Sequence, residues 1–430
     1  MPSLPNLKLG RRGGGDIVGL DIQPGLIAAV KARVNGSILA EGAAVQPLGA
    51  DTMREGEVVD VQALSEALRE LFADNRLGKR VRVGIANQRT MMRTIEVPPV
   101  TDRKELASAV QFLAQDQLPM PLNSAVLDFH PLGVVDTPEG PRQRIVLVAA
   151  QRDMVESLLA AVRGAGLTAA GIDLSAFALI RSLHRHEEDS SGRVLYLNVD
   201  GLTNLAIAEG TICHFTRVIG GGLESMAAEI AERRGIPVTE ARALLYAIDL
   251  TAPAVEEPSP AAPAEPGQLA ETEPAAELDE LADVEVTDAA DPAEPATPIT
   301  PEEHEALEHA MGYSEAIAAA KEAAPPEEPA AQVSDADIRS VLENGIREIS
   351  GELRNSLDFH RGQDEGGQVS HVALSGVALD LPGFAEALQA SLGLEVRSEA
   401  VGMLNAGLAG KVSASRLSIA AGLAATEAPR

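Results

Sequence analysis

One rhythm of apolar and polar positions occurs twice along the chain. Apolar residues at 17–22 give way to a turn at Gln23-Pro24-Gly25, a second run at 26–33, an Asn35-Gly36 turn and a third run at 37–45. Short runs broken by such turns predict a three-stranded meander. Leu64, Leu68, Leu71 and Phe72 then recur at helical spacing, which predicts a helix over 61–73 capped by Asp60. The same order returns at 194–199, Asp200-Gly201, 203–208, Glu209-Gly210 and 211–219. There Gly220-Gly221-Gly222 open a helix that turns Leu223, Met226, Ala227 and Ile230 inward.

Two meanders, each followed by a helix, predict two related α/β domains with a ligand crevice between them. The pattern between the copies differs. Strands are expected at 80–86 and 89–97, then a helix capped near Thr101 with Leu106, Val110 and Leu113 on one face. Strands at 125–134 and 144–150 and a helix at 152–164 follow, which reads as a small α+β subdomain set into or beside the first half. Further on, Ile338, Val341, Leu342, Ile349, Leu353 and Leu357 mark a long helix beginning at Ser334 that leads into a strand at 371–375.

Composition separates one segment from the rest. Of the net charge of −29, residues 251–333 carry −20 through 21 Asp and Glu against the single Lys321, and they hold 13 of the 27 prolines. Such a stretch buries too little apolar surface to offset its ordering entropy, so a disordered acidic insertion is expected, with a transient helix at 301–324. The mildly acidic remainder has no Trp and few other aromatic residues, so neither a phosphate-binding surface nor a base-stacking platform is present, and nucleic acid is set aside. Apolar runs such as 17–22 and 145–150 are too short to cross a bilayer, and no apolar segment follows Arg11 and Arg12, so any membrane contact is expected through a partner. A lone cysteine, Cys213, rules out an intramolecular disulfide; a small buried apolar residue in a reducing cytoplasm is expected.

Gly19-Leu20-Asp21-Ile22, Val97-Pro98-Pro99-Val100 and Gln117-Leu118-Pro119-Met120-Pro121-Leu122 before Leu127-Asp128-Phe129 resemble the PilM family of pilus assembly proteins. The likeness runs on through Phe215-Thr216-Arg217, the Glu352 to Phe359 run and Leu374-Ser375-Gly376 with Leu381-Pro382-Gly383. It covers the chain except its N-terminal tail and the acidic insertion. The resemblance implies an actin-like, duplicated ribonuclease-H-like fold of two lobes, related to the division protein FtsA, with a cleft for ATP and Mg2+. It also implies binding of the cytosolic N-terminal peptide of a PilN-type inner-membrane protein, within a pilus assembly complex on the cytoplasmic side. On this basis the chain divides into a tail (1–15), the first lobe (16–96 and 166–190), the inserted subdomain (97–165), the second lobe (191–250 and 334–425) and the insertion (251–333).

Carried over residue by residue, the resemblance sets Asp21 and Gly25 on the first phosphate turn and Asn198, Asp200, Gly201 and Thr203 on the second. Gly221 and Gly222 at a helix start and Ser375 and Gly376 after a strand fall on the base and ribose side, and Asp21 and Asp200 are the implied metal ligands. Phosphate turns need backbone N–H groups and a cation. Here the family's Gly-Ser-Ser-Ser stretch is Gln23-Pro24-Gly25-Leu26, its lysine is Ala28, its second Asp is Asn198, and its Gly is Asp200. The glycines also admit a plain reading as turn and packing residues. Arg93, Met91 and Met92 are the implied partner-binding residues, with an ordinary hairpin as the competing reading.

The expected function is a peptide-holding scaffold in which ATP, bound in a partly degenerate cleft, alters the relation between the two halves, with turnover slow or absent. The alternatives are an ATPase or sugar-type phosphotransferase, which needs intact phosphate turns, and an FtsA-like filament, which needs an amphipathic anchor that 421–430 does not supply. His184, His186 and Glu187 read as a solvated helix end, and His304 and His309 lie too far apart around a helix to share a metal.

Overall fold

The structure is a computed structural model and describes residues 17–118, 120–138, 140–185, 192–252, 334–362 and 367–425. The expected tail, the bulk of the acidic insertion with its helix at 301–324, Pro119, His186, Glu187, His304 and His309 lie outside the described residues.

The first lobe opens with β1 (Val18–Gln23), β2 (Leu26–Val34) and β3 (Ile38–Pro47), the expected meander. A small hairpin follows, β4 (Met53–Arg54) and β5 (Glu57–Val58), and then α1 (Val61–Asn75), whose cap Asp60 accepts from the N–H groups of Gln62 and Ala63. β6 (Arg80–Ile85) runs parallel to β1.

Strand β7 (Met91–Val97), helix α2 (Arg103–Gln117), and strands β8 (Ala125–Thr137) and β9 (Gly140–Gln151) form a separate three-stranded sheet in the order β7-β9-β8. Sheet membership therefore starts the subdomain at Met91, earlier than the expected boundary at 97. Asp102, not Thr101, caps α2, its Oδ1 accepting from Lys104 N–H at 2.8 Å and Glu105 N–H at 3.0 Å. The hairpin of β8 and β9 reaches beyond the expected strand ends to pair Thr137 with Gly140, because a bulge at Pro131 to Gly133 lets the ladder continue past the proline.

Helix α3 (Arg152–Gly164), inside the expected subdomain range, instead packs Met154, Leu158 and Val162 into the first lobe's core with Leu64, Leu68 and Val81. β10 (Thr168–Leu174) completes that side of the sheet beside β6, and α4 (Ser175–Leu183) leaves it.

The second lobe repeats the meander as β11 (Arg193–Val199), β12 (Thr203–Glu209) and β13 (Ile212–Ile219), followed by α5 (Leu223–Arg234) and α6 (Val238–Ala247). After the insertion come α7 (Asp335–Arg361), β14 (Val369–Ser375), α8 (Phe384–Leu392) and β15 (Val396–Ser398). The sheet order is β13-β12-β11-β14-β15, and Leu195, Leu197, Leu342, Leu353 and Phe384 fill one core between the sheet and its helices.

The chain then crosses back. β16 (Gly402–Met403) joins β3 in parallel, so the first sheet reads β10-β6-β1-β2-β3-β16. After the short α9 (Ala406–Ala409), α10 (Ser418–Ala424) packs against α4, with Ile419 and Leu423 meeting Leu179, Leu183, Tyr196 and Ala373. Residues from about 400 onward thus serve the first sheet as well, which corrects the assignment of 334–425 to the second lobe alone. Every residue from Ser418 to Leu423 is buried, and a helix apolar all round finds burial only between the two sheets.

Candidate functional site

The two meanders present their first turns to one another. β1 is buried along its whole length in the middle of its sheet, and it ends with Asp21 paired to Ala28 and Gln23 paired to Leu26. In the second lobe Asn198 lies between Asn204 of β12 and Ser375 of β14, and Asp200 follows at the end of β11.

The turns are joined by polar contacts. Gln23 is 2% exposed, and its Nε2 donates to Asp21 Oδ2 at 2.9 Å and to Asp200 Oδ2 at 3.3 Å, while its Oε1 accepts from Leu202 N–H at 3.4 Å. Asp200 Oδ2 also accepts from Asn198 Nδ2 at 2.7 Å, and its Oδ1 accepts from the N–H of Val377. Both carboxylates are buried. Burial, and next the nearby Asp200 charge, push the Asp21 carboxyl up to about 7 against the lowering effect of Gln23. Burial likewise raises Asp200, opposed by Asn198, the Val377 N–H and Arg416.

The fold brings most of the expected site residues together. Gly201 abuts the first lobe so closely that a Cβ there would lie 2.1 Å from Pro24 O. Gly25 sits under the Glu224–Arg242 ion pair, whose shortest contact is 2.7 Å. Gly222 caps α5, where Leu223 N–H donates to Asp200 O at 2.9 Å, and Thr203 Oγ1 donates to Gly221 O at 2.8 Å. Ser375 Oγ lies 2.5 Å from Ser418 Oγ, and Gly376 adopts φ +101°, with a Cβ there only 2.6 Å from Val199 O. This positive φ demands glycine at 376.

The partner-binding candidates separate. Met92 is buried against Val146, Leu179 and Cys213, so it belongs to the core, whereas Arg93 is exposed and Met91 half-buried beside Ile95 and Val97. Cys213 is buried as expected, and burial pushes its thiol up to about 12.

A magnesium triphosphate does not fit these turns as they stand. Pro24 offers no N–H, the N–H groups of Leu202, Leu223 and Val377 are spent on protein oxygens, and two buried carboxylates face the space. Arg416, which acts on Asp200, is paired with Asp380, and Arg242, which lies over Gly25, is paired with Glu224. Gln23 and the Glu224–Arg242 pair are the residues that sequence reasoning passed over. Gln23 registered only as a missing phosphate donor, and the ion pair, eighteen residues apart, has no sequence signature.

A solved structure titled "PilM-PilN type IV pilus biogenesis complex" matches at a TM-score of 0.65 and 20% identity, over 95% of this chain and 98% of that one. Looser similarity extends to the ethanolamine utilization protein EutJ from Carboxydothermus hydrogenoformans (TM-score 0.45, 14% identity, 97% and 91% of the two chains). It extends also to MreB5 of Spiroplasma citri bound to ADP (0.44, 12%, 94% of each). Residues 19–244, more than half of the chain, match the family described as type IV pilus assembly protein PilM. The chain therefore belongs to the PilM family of type IV pilus assembly proteins, with an actin-like α/β fold.

Proposed function

We propose that the protein is a scaffold of type IV pilus assembly: a cytoplasmic, actin-like clamp that holds the cytosolic N-terminal peptide of a PilN-type inner-membrane protein. The observation that carries this reading is family membership together with a fold shared, along nearly the whole length, with a chain solved in a PilM–PilN complex. Among the described residues no helix is long and apolar enough to cross a membrane, so recruitment through a membrane-anchored partner suits the chain.

Within this reading Arg93 is the residue offered to the peptide. It projects from β7, an edge strand of the inserted sheet, and its side chain donates to the carbonyl of Met92 at 3.2 Å, with no other acceptor among the described residues. Met91 contributes a half-exposed apolar side chain next to it, and Met92 anchors the strand from the other face. A scaffold needs two firmly joined lobes and a peptide groove; it needs no leaving group, and among the described residues the two arginines near the turns, Arg242 and Arg416, are already paired with carboxylates.

The test is fluorescence anisotropy with a labelled peptide copied from the cytosolic N-terminus of a PilN-type protein of the same organism. Saturable binding that Arg93→Glu weakens at least roughly tenfold, about 1.4 kcal/mol, is expected. A peptide that fails to bind the full chain at any concentration up to saturation of the assay would overturn the assignment.

A further inference from the structure

We infer that this chain seals the inter-lobe cleft with its own side chains, Gln23 being the closing residue, so that the lobes are joined without nucleotide where the family resemblance sets ATP and Mg2+. The inference stands apart from peptide binding: a chain that ignored the PilN-type peptide could still be sealed in this way.

Gln23 occupies the cleft in two capacities. Its amide NH2 group donates to Asp21 at 2.9 Å and Asp200 at 3.3 Å, the two carboxylates that the resemblance gives to a metal. Its amide oxygen takes the Leu202 N–H, a backbone donor of the second turn that a phosphate oxygen would otherwise claim. A single buried side chain thus stands in for a cation on one side and an anion on the other.

The surrounding contacts close the remaining space. Pro24 O lies against Gly201, where even a methyl group would not fit. The Glu224–Arg242 pair from α5 and α6 lies over Gly25 of the first lobe's turn, and both side chains are mostly buried. Leu26, the first residue of β2, packs with the core of the second lobe. Leu202 reaches the other way, so near Gly56 that a Cβ there would meet its Cδ1 at 3.3 Å. The start of α5, the natural seat of an anion, is filled by Asp200 O on the Leu223 N–H and by Ser225 Oγ on the Gly222 N–H at 3.1 Å. The donors after β14 are likewise committed, Gly376 N–H to Ser415 O at 3.2 Å and Val377 N–H to Asp200. A triphosphate entering here would break these bonds and meet two carboxylates.

The experiment has two arms on the full chain. Calorimetric and thermal-shift titration with MgATP and MgADP to about 1 mM is expected to show no saturable heat and no change in Tm, whereas a site even a hundred times tighter than that concentration raises Tm by several degrees; such a rise would overturn the inference. In the second arm, Gln23→Met keeps the side-chain volume and removes the amide. Hydrogen exchange is expected to become roughly tenfold faster both at the Gly25 and Leu26 amides of the first turn and in the Asp200 to Leu202 turn, because one side chain ties them together. Faster exchange confined to Gly25 and Leu26 would reduce Gln23 to a hairpin residue and overturn the joint. Gln23→Asn, too short to span both carboxylates, supplies the same readout if the Met variant does not fold.

Discussion

Gln23 and Asp200 stand 177 positions apart in the sequence and meet across the two lobes, amide nitrogen to carboxylate oxygen, at 3.3 Å. The same nitrogen serves Asp21, so one neutral donor group is shared between two buried acids that form no salt bridge among the described residues. Two acids so placed resist ionising together, and this governs how stability responds to pH.

The folded Asp21 carboxyl titrates at about 7 and the unfolded one near 3.8. Between these values the folded chain holds a proton that the unfolded chain has lost, so stability falls as pH rises from about 4 to about 7 and the penalty is complete above that. At pH 8 Asp21→Asn is therefore expected to be more stable than the parent by about 2 to 4 kcal/mol, with the gain vanishing near pH 4. Urea denaturation at a series of pH values checks this, and parallel pH profiles for the two proteins would show that Asp21 carries no such penalty.

The two meanders were legible because turn residues and strand-length apolar runs act locally, and each strand of the duplication stands where its pattern set it. The helices at 61–73 and 152–164 were legible for the same reason. Partners remote in sequence were not. Nothing in 406–425 says that α10 returns to the first lobe, since an apolar helix names no neighbour; nor does β7 announce that it pairs with β9 and not with β6. At the site, the positions of Asp21, Asp200 and Gly376 came from the family resemblance, but the role of Gln23 required knowing that the turns touch. The Met91 to Arg93 run could be placed on a strand, while which of its faces the core would claim depended on α4, far along the chain.

Met92 and Arg93 are therefore expected to part company on mutation. Met92→Ala opens a cavity against Leu179 and Val146 and should cost about 2 to 4 kcal/mol of stability. Arg93→Glu, on an exposed side chain, should change stability by less than about 0.5 kcal/mol while lowering affinity for the PilN-type peptide. Denaturation midpoints and anisotropy on the two variants decide the matter, and a large stability loss for Arg93→Glu would place that residue in the fold and not at a binding surface.

The segment 251–333 has a composition unable to support a core, and residues up to 252 and from 334 onward hold the fold's contacts: Leu250 N–H bonds Pro382 O at 3.0 Å, and Arg339 bonds the carbonyls of Asp249 and Leu250. Replacing residues 254–332 by a flexible Gly/Ser linker of about a dozen residues should leave a single cooperative transition with Tm within about 2 °C, since the closure entropy of a linker changes only slowly with its length. Loss of cooperative unfolding in calorimetry would show that part of the segment belongs to the folded unit.

Helix α7 carries two glycines whose replacement should act in opposite directions. A Cβ at Gly351 meets nothing within 4 Å, so Gly351→Ala removes backbone freedom from the unfolded chain without a clash and should stabilise by about 0.5 to 1 kcal/mol. A Cβ at Gly345 would lie 2.1 Å from the Met226 Cε and 2.7 Å from its Sδ, and Met226 is on the buried face of α5 with Leu223 and Ile230. The methionine must change rotamer inside a packed core to make room, so Gly345→Ala should lose the helical gain and cost about 1 to 2 kcal/mol instead. Pairing Gly345→Ala with Met226→Ala tests the cause directly: if the clash is the reason, the double variant is less unstable than the sum of the two single ones, as contact between the sites requires. Strict additivity would mean that α5 and α7 do not press on each other there.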